Sequence, residues 1–293
     1  MEMGKPATRH ERVHPFAYVI AEAGACGDAN LDKMLAQIDA CAKAGVAAVK
    51  FQWTSDATAM AKRRGRAFAD GYADVYKRYL MWPEEWHYQL RERCDALGVD
   101  YICTVYMPKD VHVIDRHVSK FKVSSFEALD TELHSEVIAH CDNGDKRMIL
   151  STGMCSYDEI EMLSFVFASS NCVDLLHCVS AYPTPFDAMN LSNIHFHNLD
   201  GYSDHTSPQL TWTGSLAFAA GAHIIEAHMK LDTTDPSNPD AAHAMTPAQL
   251  SDYVQRIDVV EKSMYVIEED SWSLSSPHVE DKMRPYRFGS KSS

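Results

Sequence analysis

The chain has 293 residues, 46% of them apolar, and a formal net charge of −14. That charge argues against a nucleic-acid binder, which carries a basic surface, while the apolar content suffices for a substantial core. Eight cysteines without a CxxC pair read as reduced thiols of a cytoplasmic protein. No apolar run approaches the roughly 20 residues of a membrane span, and the opening MEMGKPATRHERVHP lacks the apolar core of a signal peptide.

The first predicted strand is AYVIAEA (17–23). A helix follows in NLDKMLAQIDACAKAG, with Leu31, Leu35, Ile38 and Ala42 as its apolar stripe, Asn30 as N-cap and Gly45 past its end. VAAVKFQ (46–52) is the second strand, and residues 53–82 form an unusually long connection. PEEWHYQLRERCDALG opens a helix with Pro83 and places Trp86, Leu90 and Leu97 on one side. Further strands are VDYICTV (99–105), KFKVSS (120–125) and RMILST (147–152). SYDEIEMLSFVFA offers a capping box, Ser156 with Glu159. The last strands are CVDLLHCV (172–179), LDGYSD (199–204) and AHIIEAHM (222–229), and TPAQLSDYVQRIDVV closes the pattern as a helix. The polar, Ser-rich stretch 270–293 reads as a tail, which leaves 1–269 as one domain.

Several of these runs are nearly continuous in apolar residues, as strands buried on both faces should be. Strand then helix, eight times, predicts an α/β protein closed as a (β/α)8 barrel. An open doubly wound sheet would place a Gly-rich phosphate turn after the first strand, and EAGACGDA matches GxGxxG poorly.

In such a barrel the active site lies at the C-terminal mouth, built by residues ending several strands. Here those ends carry Glu22, Lys50, Gln52, Thr104, Lys122, Ser125, Glu127, Ser151, Ser180, Tyr182, Ser203, Asp204, His205, Glu226 and His228. Two lysines and several hydroxyls make an anion cradle for phosphate or carboxylate. His205 and His228, on adjacent strands, suit a divalent metal with open positions. Glu22 and Glu127 can bind water or move protons. Each feature has a structural alternative: a lysine can snorkel, a histidine can simply pack, and strand-end hydroxyls can cap the next helix. His177 and Cys178 are expected to pack inside the sixth strand, and His112, His117, His134 and His140 to be solvated on helices.

With these residues assembled, the chain resembles the sialic acid synthase family, also called the N-acetylneuraminate synthase or NeuB-like family. The stretches that carry the resemblance are VIAEAG, AGVAAVKFQ, FKVSSFE, ILSTGM, LLHCVSAYPTPFDAMNL, GYSDHT, GAHIIEAHMKLD and NPD, from about residue 17 to 250. The resemblance implies a metal-dependent (β/α)8 barrel that condenses phosphoenolpyruvate with an open-chain sugar aldehyde, giving a 2-keto sugar acid and phosphate. It implies that Lys50, Thr104, Lys122, Ser125, Ser151 and Ser203 hold the phosphate and carboxylate of phosphoenolpyruvate. It further implies that His205 and His228 bind Mn2+, with Mg2+ or Co2+ as alternatives, and that Glu22 handles the attacking water. Gln52, Glu127, Tyr182 and Asp240 would place the acceptor. Ser180 stands where the family usually has Asn. Face-to-face pairing of barrels makes a homodimer the assembly to look for; neither nucleic acid nor membrane is an expected partner.

Three departures concern the acceptor side. The turn after the first strand reads ACGDAN, with Cys26 and Asp28, where the family has an Asn-His-Asn-Gly-like turn. In NPDAAHAM, Ala241 replaces the family's His and His243 stands two positions later. The family's C-terminal antifreeze-like domain does not follow the barrel. The expectation is therefore the same reaction on an aldehyde other than N-acetylmannosamine. The run KRRGR (62–66) is either an active-site lid presenting Arg63, Arg64 or Arg66, or a solvated basic stretch. The rival functions are a metal-dependent hydrolase and a non-catalytic or partner-dependent sugar-binding barrel.

Overall fold

The structure is a computed structural model that describes residues 17–65, 72–141, 146–168 and 170–264. The tail expected over 270–293 and Arg66 lie outside the described residues. Eight parallel strands close into a barrel in sequence order: β1 (Tyr18–Glu22), β2 (Ala48–Gln52), β3 (Asp100–Val105), β4 (Lys120–Val123), β5 (Arg147–Ser151), β6 (Val173–Cys178), β7 (Gly201–Asp204) and β8 (Ile224–His228). Each predicted strand is present, shortened by one to three residues. β8 pairs with β1 and completes the circle, Glu22 opposite His228.

Around the barrel run α1 (Leu31–Ala44), α2 (Ala57–Arg63), α3 (Tyr72–Leu80), α4 (Trp86–Leu97), α5 (Pro108–Asp115), α6 (Thr131–Cys141), α7 (Tyr157–Phe167), α8 (Ser192–Phe196), α9 (Thr213–Ala219) and α10 (Pro247–Met264). Local signals start and stop several of them. The Asn30 side chain accepts from the Lys33 N–H at 3.0 Å to cap α1, and Gly45 ends it with φ of 89°. The Ser156–Glu159 capping box opens α7.

The buried stripes sit one position off the expected ones. In α1, Met34, Gln37, Ile38, Cys41 and Ala44 are buried, whereas Leu31, Leu35 and Ala42 are half-buried. The helix meets α4 and α10 as well as the barrel, so its flanks are covered too. In α4 the face is His87, Leu90 and Cys94, with Leu97 exposed. The long connection 53–82 is not a loop: it holds α2, capped by Asp56, and α3. His117 and His134, expected in solvent, are buried, His117 stacked on His87 and His134 bonded to the Glu127 carbonyl.

Side chains alternate in and out along each strand. The inward set forms levels down the barrel axis. At the base, Lys120 donates to Asp100 at 2.7 Å and Arg147 pairs with Asp174, closing the floor with ion pairs. Above it, Ile20, Ala48, Ile102, Ile149 and Leu176 make an apolar plug. Above the plug the inward positions turn polar, and that change of chemistry locates the site. Gly201 lets β7 approach β8: a Cβ there would lie 2.1 Å from the Ile224 carbonyl oxygen. Gly201→Ala should therefore lower unfolding stability by at least about 2 kcal/mol, read as a reduced urea midpoint with unchanged slope.

Candidate active site

The polar level begins with two lysines. Lys50 and Lys122 come from β2 and β4, and both are buried. Lys50 Nζ donates to Thr104 Oγ1 at 3.1 Å, contacts the Glu22 carboxylate, and lies 3.6 Å from Glu226 Oε2. Burial pushes the Lys50 ammonium down to about 8, against the pull of Glu226. Lys122 Nζ donates to Ser151 Oγ at 2.7 Å and to the Val123 carbonyl at 3.0 Å, both neutral acceptors. Ser203 donates to Glu226 Oε1 at 2.9 Å. Burial would raise the Glu226 carboxyl, but Lys50, Lys122 and His228 hold it at about 2. Glu226 is thus a charged member of the cradle, a role its place at a strand end did not disclose.

The opposite wall carries imidazoles. His205 follows β7 and His228 ends β8, with ring centres 5.2 Å apart. His205 Nδ1 faces the Val179 carbonyl at 3.0 Å and the Cys178 thiol at 3.7 Å. Cys178, expected only to pack, turns into the site and also lies 3.4 Å from Ser125 Oγ. His177 does pack, its Nε2 2.8 Å from the Met189 carbonyl. Within GYSDHT the three polar residues divide by strand alternation. Ser203 and His205 line the cleft, while Asp204 points outward and accepts from Thr213, Tyr253 and the Thr206 N–H at 2.5, 2.9 and 2.9 Å.

Asp240 completes this wall from the loop after β8. The Ala25 N–H donates to its Oδ2 at 3.0 Å, and Oδ2 lies 3.6 Å from His228 Nδ1. The turn after β1 holds the loop in place, because Asn238 donates to the Ala25 carbonyl at 2.9 Å and to Asp28 at 2.8 Å. Gly24 in that turn has φ of 41°, and a Cβ there would fall 2.6 Å from Asp240 and 2.8 Å from Glu22. Donor atoms of His228, Asp240 and His243 all lie within 4.8 Å of one another. Burial lowers both His228 and His243, the latter to about 3, which favours the neutral imidazole that a metal ligand needs. A divalent cation fits this donor set. His205, an expected ligand, stands beside the three, its ring 6.1 Å from that of His243.

These walls enclose a cleft of about 290 Å³ lined by Glu22, Lys50, Gln52, Thr104, Lys122, Ser125, Ser151, Tyr182, Ser203, His205, His228 and Asp240. Two expected residues stand behind it. Ser180 is packed near Gly153 and its hydroxyl is buried. Glu127 is gripped by Arg64, whose Nε and Nη2 donate to its two oxygens at 2.5 and 3.0 Å. Arg64 itself lines the mouth, over the faces of Tyr76, Tyr106 and Phe126. Arg63 instead pairs with Asp130 and Glu132 away from the cleft. A larger groove of about 560 Å³ beside Trp53, Trp82 and Asp110 holds none of these groups.

Comparison with known proteins identifies the family. The model of the NeuB family matches residues 37–268. The N,N'-diacetyllegionaminic acid synthase of Legionella pneumophila is 30% identical over 259 residues, covering 82% of this chain and 71% of that protein. The pseudaminic acid synthase of Campylobacter jejuni is 32% identical over 230 residues, covering 73% and 65%. The crystal structure of N-acetylneuraminic acid synthetase from Leptospira borgpetersenii superposes with a TM-score of 0.77 at 26% identity, covering 93% of this chain and 91% of that one. The chain belongs to the NeuB family and is a transferase of its synthase kind, an enzyme that forms a carbon–carbon bond on a (β/α)8 barrel.

Proposed function

We propose that the protein condenses phosphoenolpyruvate with a sugar-like aldehyde to give a 2-keto-3-deoxy sugar acid and phosphate. The observation that carries this reading is the pair of buried lysines across one cleft from an imidazole–carboxylate wall. Lys122 in particular is buried, and its hydrogen bonds among the described residues go to neutral oxygens. A buried ammonium costs several kcal/mol unless an anion meets it. Phosphoenolpyruvate brings two anionic groups, and Thr104, Ser125, Ser151 and Ser203 surround the lysines with hydroxyls to orient them.

In this reading the enol carbon of phosphoenolpyruvate attacks the aldehyde carbon and forms the new bond. Positive charge develops on the carbon bearing the phosphate ester, and water adds there. The resulting tetrahedral carbon expels phosphate by C–O cleavage, with Lys50 and Lys122 stabilising the departing charge. Glu22, in contact with Lys50, is placed to orient the water and accept its proton. A divalent metal, Mn2+ before Mg2+ or Co2+, supplies Lewis acidity toward the aldehyde oxygen when bound beside His228 and Asp240. Gln52, Tyr182 and Asp240 position the acceptor, with Glu127 reaching it through Arg64. The acceptor differs from N-acetylmannosamine, because Arg64 and His243 line the cleft together with Tyr182 and Asp240. The eight cysteines are free thiols in keeping with a cytoplasmic setting, and no helix among the described residues is long and apolar enough to cross a membrane. A homodimer is the assembly we assign to it.

Three outcomes test this. Phosphate release from phosphoenolpyruvate with Mn2+, assayed across aldoses, hexosamines, phosphorylated sugars and nucleoside-derived aldehydes, should appear with at least one acceptor. It should fall about a hundredfold or more in His228→Ala; silence across the panel with no phosphoenolpyruvate binding by calorimetry would overturn the reading. Phosphoenolpyruvate affinity should be level below pH 8 and weaken up to about tenfold per unit above it, as Lys50 loses its proton. Lys50→Met should remove that limb. The linked stability has the opposite slope: unfolded lysine keeps its proton to about 10.4, so stability rises with pH between about 8 and 10. Finally, Arg64→Ala should raise the acceptor KM about tenfold and leave that for phosphoenolpyruvate within about twofold. An unchanged acceptor KM would leave the α2–α3 segment with a structural role alone.

A further inference from the structure

His243 has no role in the expected ligand set, yet its surroundings are those of a ligand. It is 4% exposed, and both its ring nitrogens are buried without a hydrogen-bond partner among the described residues. The same is true of His228 Nδ1. Orphaned buried nitrogens are costly, and one from each ring meets the Asp240 carboxylate here, the three donor atoms within 4.8 Å of one another. The His228 and His243 rings are 4.4 Å apart, closer than either is to His205. The 3.6 Å gap between His228 Nδ1 and Asp240 Oδ2 is too long for a hydrogen bond. It suits two donors that each reach one ion at roughly 2.0–2.2 Å after a small closing movement.

The loop is built to hold His243 there. The N–H groups of His243 and Ala244 both donate to the Asp240 carbonyl, at 3.2 and 3.0 Å. That single turn puts positions 240 and 243 on the same side. The Met245 N–H donates to the His228 carbonyl at 2.8 Å, which ties the end of the loop to the strand that carries the other imidazole. Lys230 donates to the Ala241 carbonyl at 2.6 Å, and Asn238 anchors the beginning. None of these contacts requires the imidazole of His243, so the backbone would stand without it.

We propose that His243 is a direct ligand of the site's divalent ion, which is held by a His228–Asp240–His243 set of two nitrogens and one oxygen. This rests on the reading of the cleft as a metal-dependent synthase site, and it gives the loop a second donor beside Asp240. The third donor also sets preference. Imidazole nitrogen favours the later ions of the series, Co2+ and Zn2+ above Mn2+, while Mg2+ keeps to oxygen. His243 therefore selects against Mg2+.

The test is metal binding by the full chain, stripped of metal and titrated with Co2+ and with Mg2+ by calorimetry, together with the 14N couplings of bound Mn2+ in electron-nuclear double resonance. In His243→Ala the Co2+ Kd should rise at least tenfold, the Mg2+ Kd should stay within about twofold, and one nitrogen coupling should disappear. Phosphoenolpyruvate binding without metal should be unchanged, which shows the cleft intact. Should His243→Ala melt early, His243→Phe keeps a ring against Tyr182 and His228 without a lone pair, and the same losses are expected. An unchanged Co2+ Kd and an unchanged set of couplings in either folded variant would overturn the assignment. If that result comes with phosphate release by the wild type, the synthase reading survives without this ligand. A wild type that binds no ion and releases no phosphate would remove both.

Discussion

Two ammonium groups inside a closed barrel determine what surrounds them. Lys50 and Lys122 point inward because they occupy the same strand parity as the Ile20–Leu176 plug beneath them. Both ammonium groups are almost wholly buried, so each positive charge must be met by fixed dipoles, a carboxylate or a bound anion. Glu22 and Glu226 answer Lys50, and the cost of the arrangement shows in the lowered Lys50 ammonium. Lys122 hydrogen-bonds to a hydroxyl and a carbonyl among the described residues, and Glu226 is its more distant charged neighbour. The ion pairs at the base of the barrel play a different part. They satisfy their own charges and close the floor, so the unmet charge is confined to the mouth.

Around that charge the loops are made rigid by one another rather than by the barrel alone. The turn after β1 and the loop after β8 are joined through Asn238, Asp28 and the backbone at Ala25. The ACGDAN turn and the NPDAAHAM loop are therefore one structural unit, in which Asp28 accepts from Asn238. Asp240 and His243 of this unit line the same cleft as Lys50 and Lys122.

The α2–α3 segment supplies the remaining wall. Met60, Tyr79 and Leu80 from this segment pack with Ala25, Tyr106 and Met107 in a small apolar cluster over the mouth. That cluster seats Arg64 against three aromatic faces and directs its guanidinium to Glu127. Arg63, one residue earlier, faces the other way and makes surface ion pairs that contribute little. A basic run can therefore be both solvated and functional, residue by residue, according to which helix face each member occupies.

The sequence by itself determined the barrel, its eight strands and most of the side chains that reach the cleft. Apolar runs, caps and strand alternation are local properties, and a residue's parity decides which way it points, so Glu22, Lys50, Lys122, Ser151, Ser203 and His228 were legible. The buried stripes of α1 and α4 are broader than periodicity predicts, because burial on a barrel helix depends on neighbouring helices as well as on the strand beneath: Ile38 and Leu90 lie in the core, with Leu31, Leu35, Ala42 and Trp86 packed at its edge. What only the tertiary structure decided lies where distant segments meet. His243 could be noticed in its loop, but its place beside His228 depends on a fold-back that ties Met245 to β8. Arg64 takes its place in a comparable way, through the packing of the α2–α3 segment over the mouth. Asp240 and the Ala25 N–H that holds it are 215 positions apart. No periodicity spans such a separation. Closure of the barrel brings the two segments together, and the chemistry of this wall of the cleft follows from that closure.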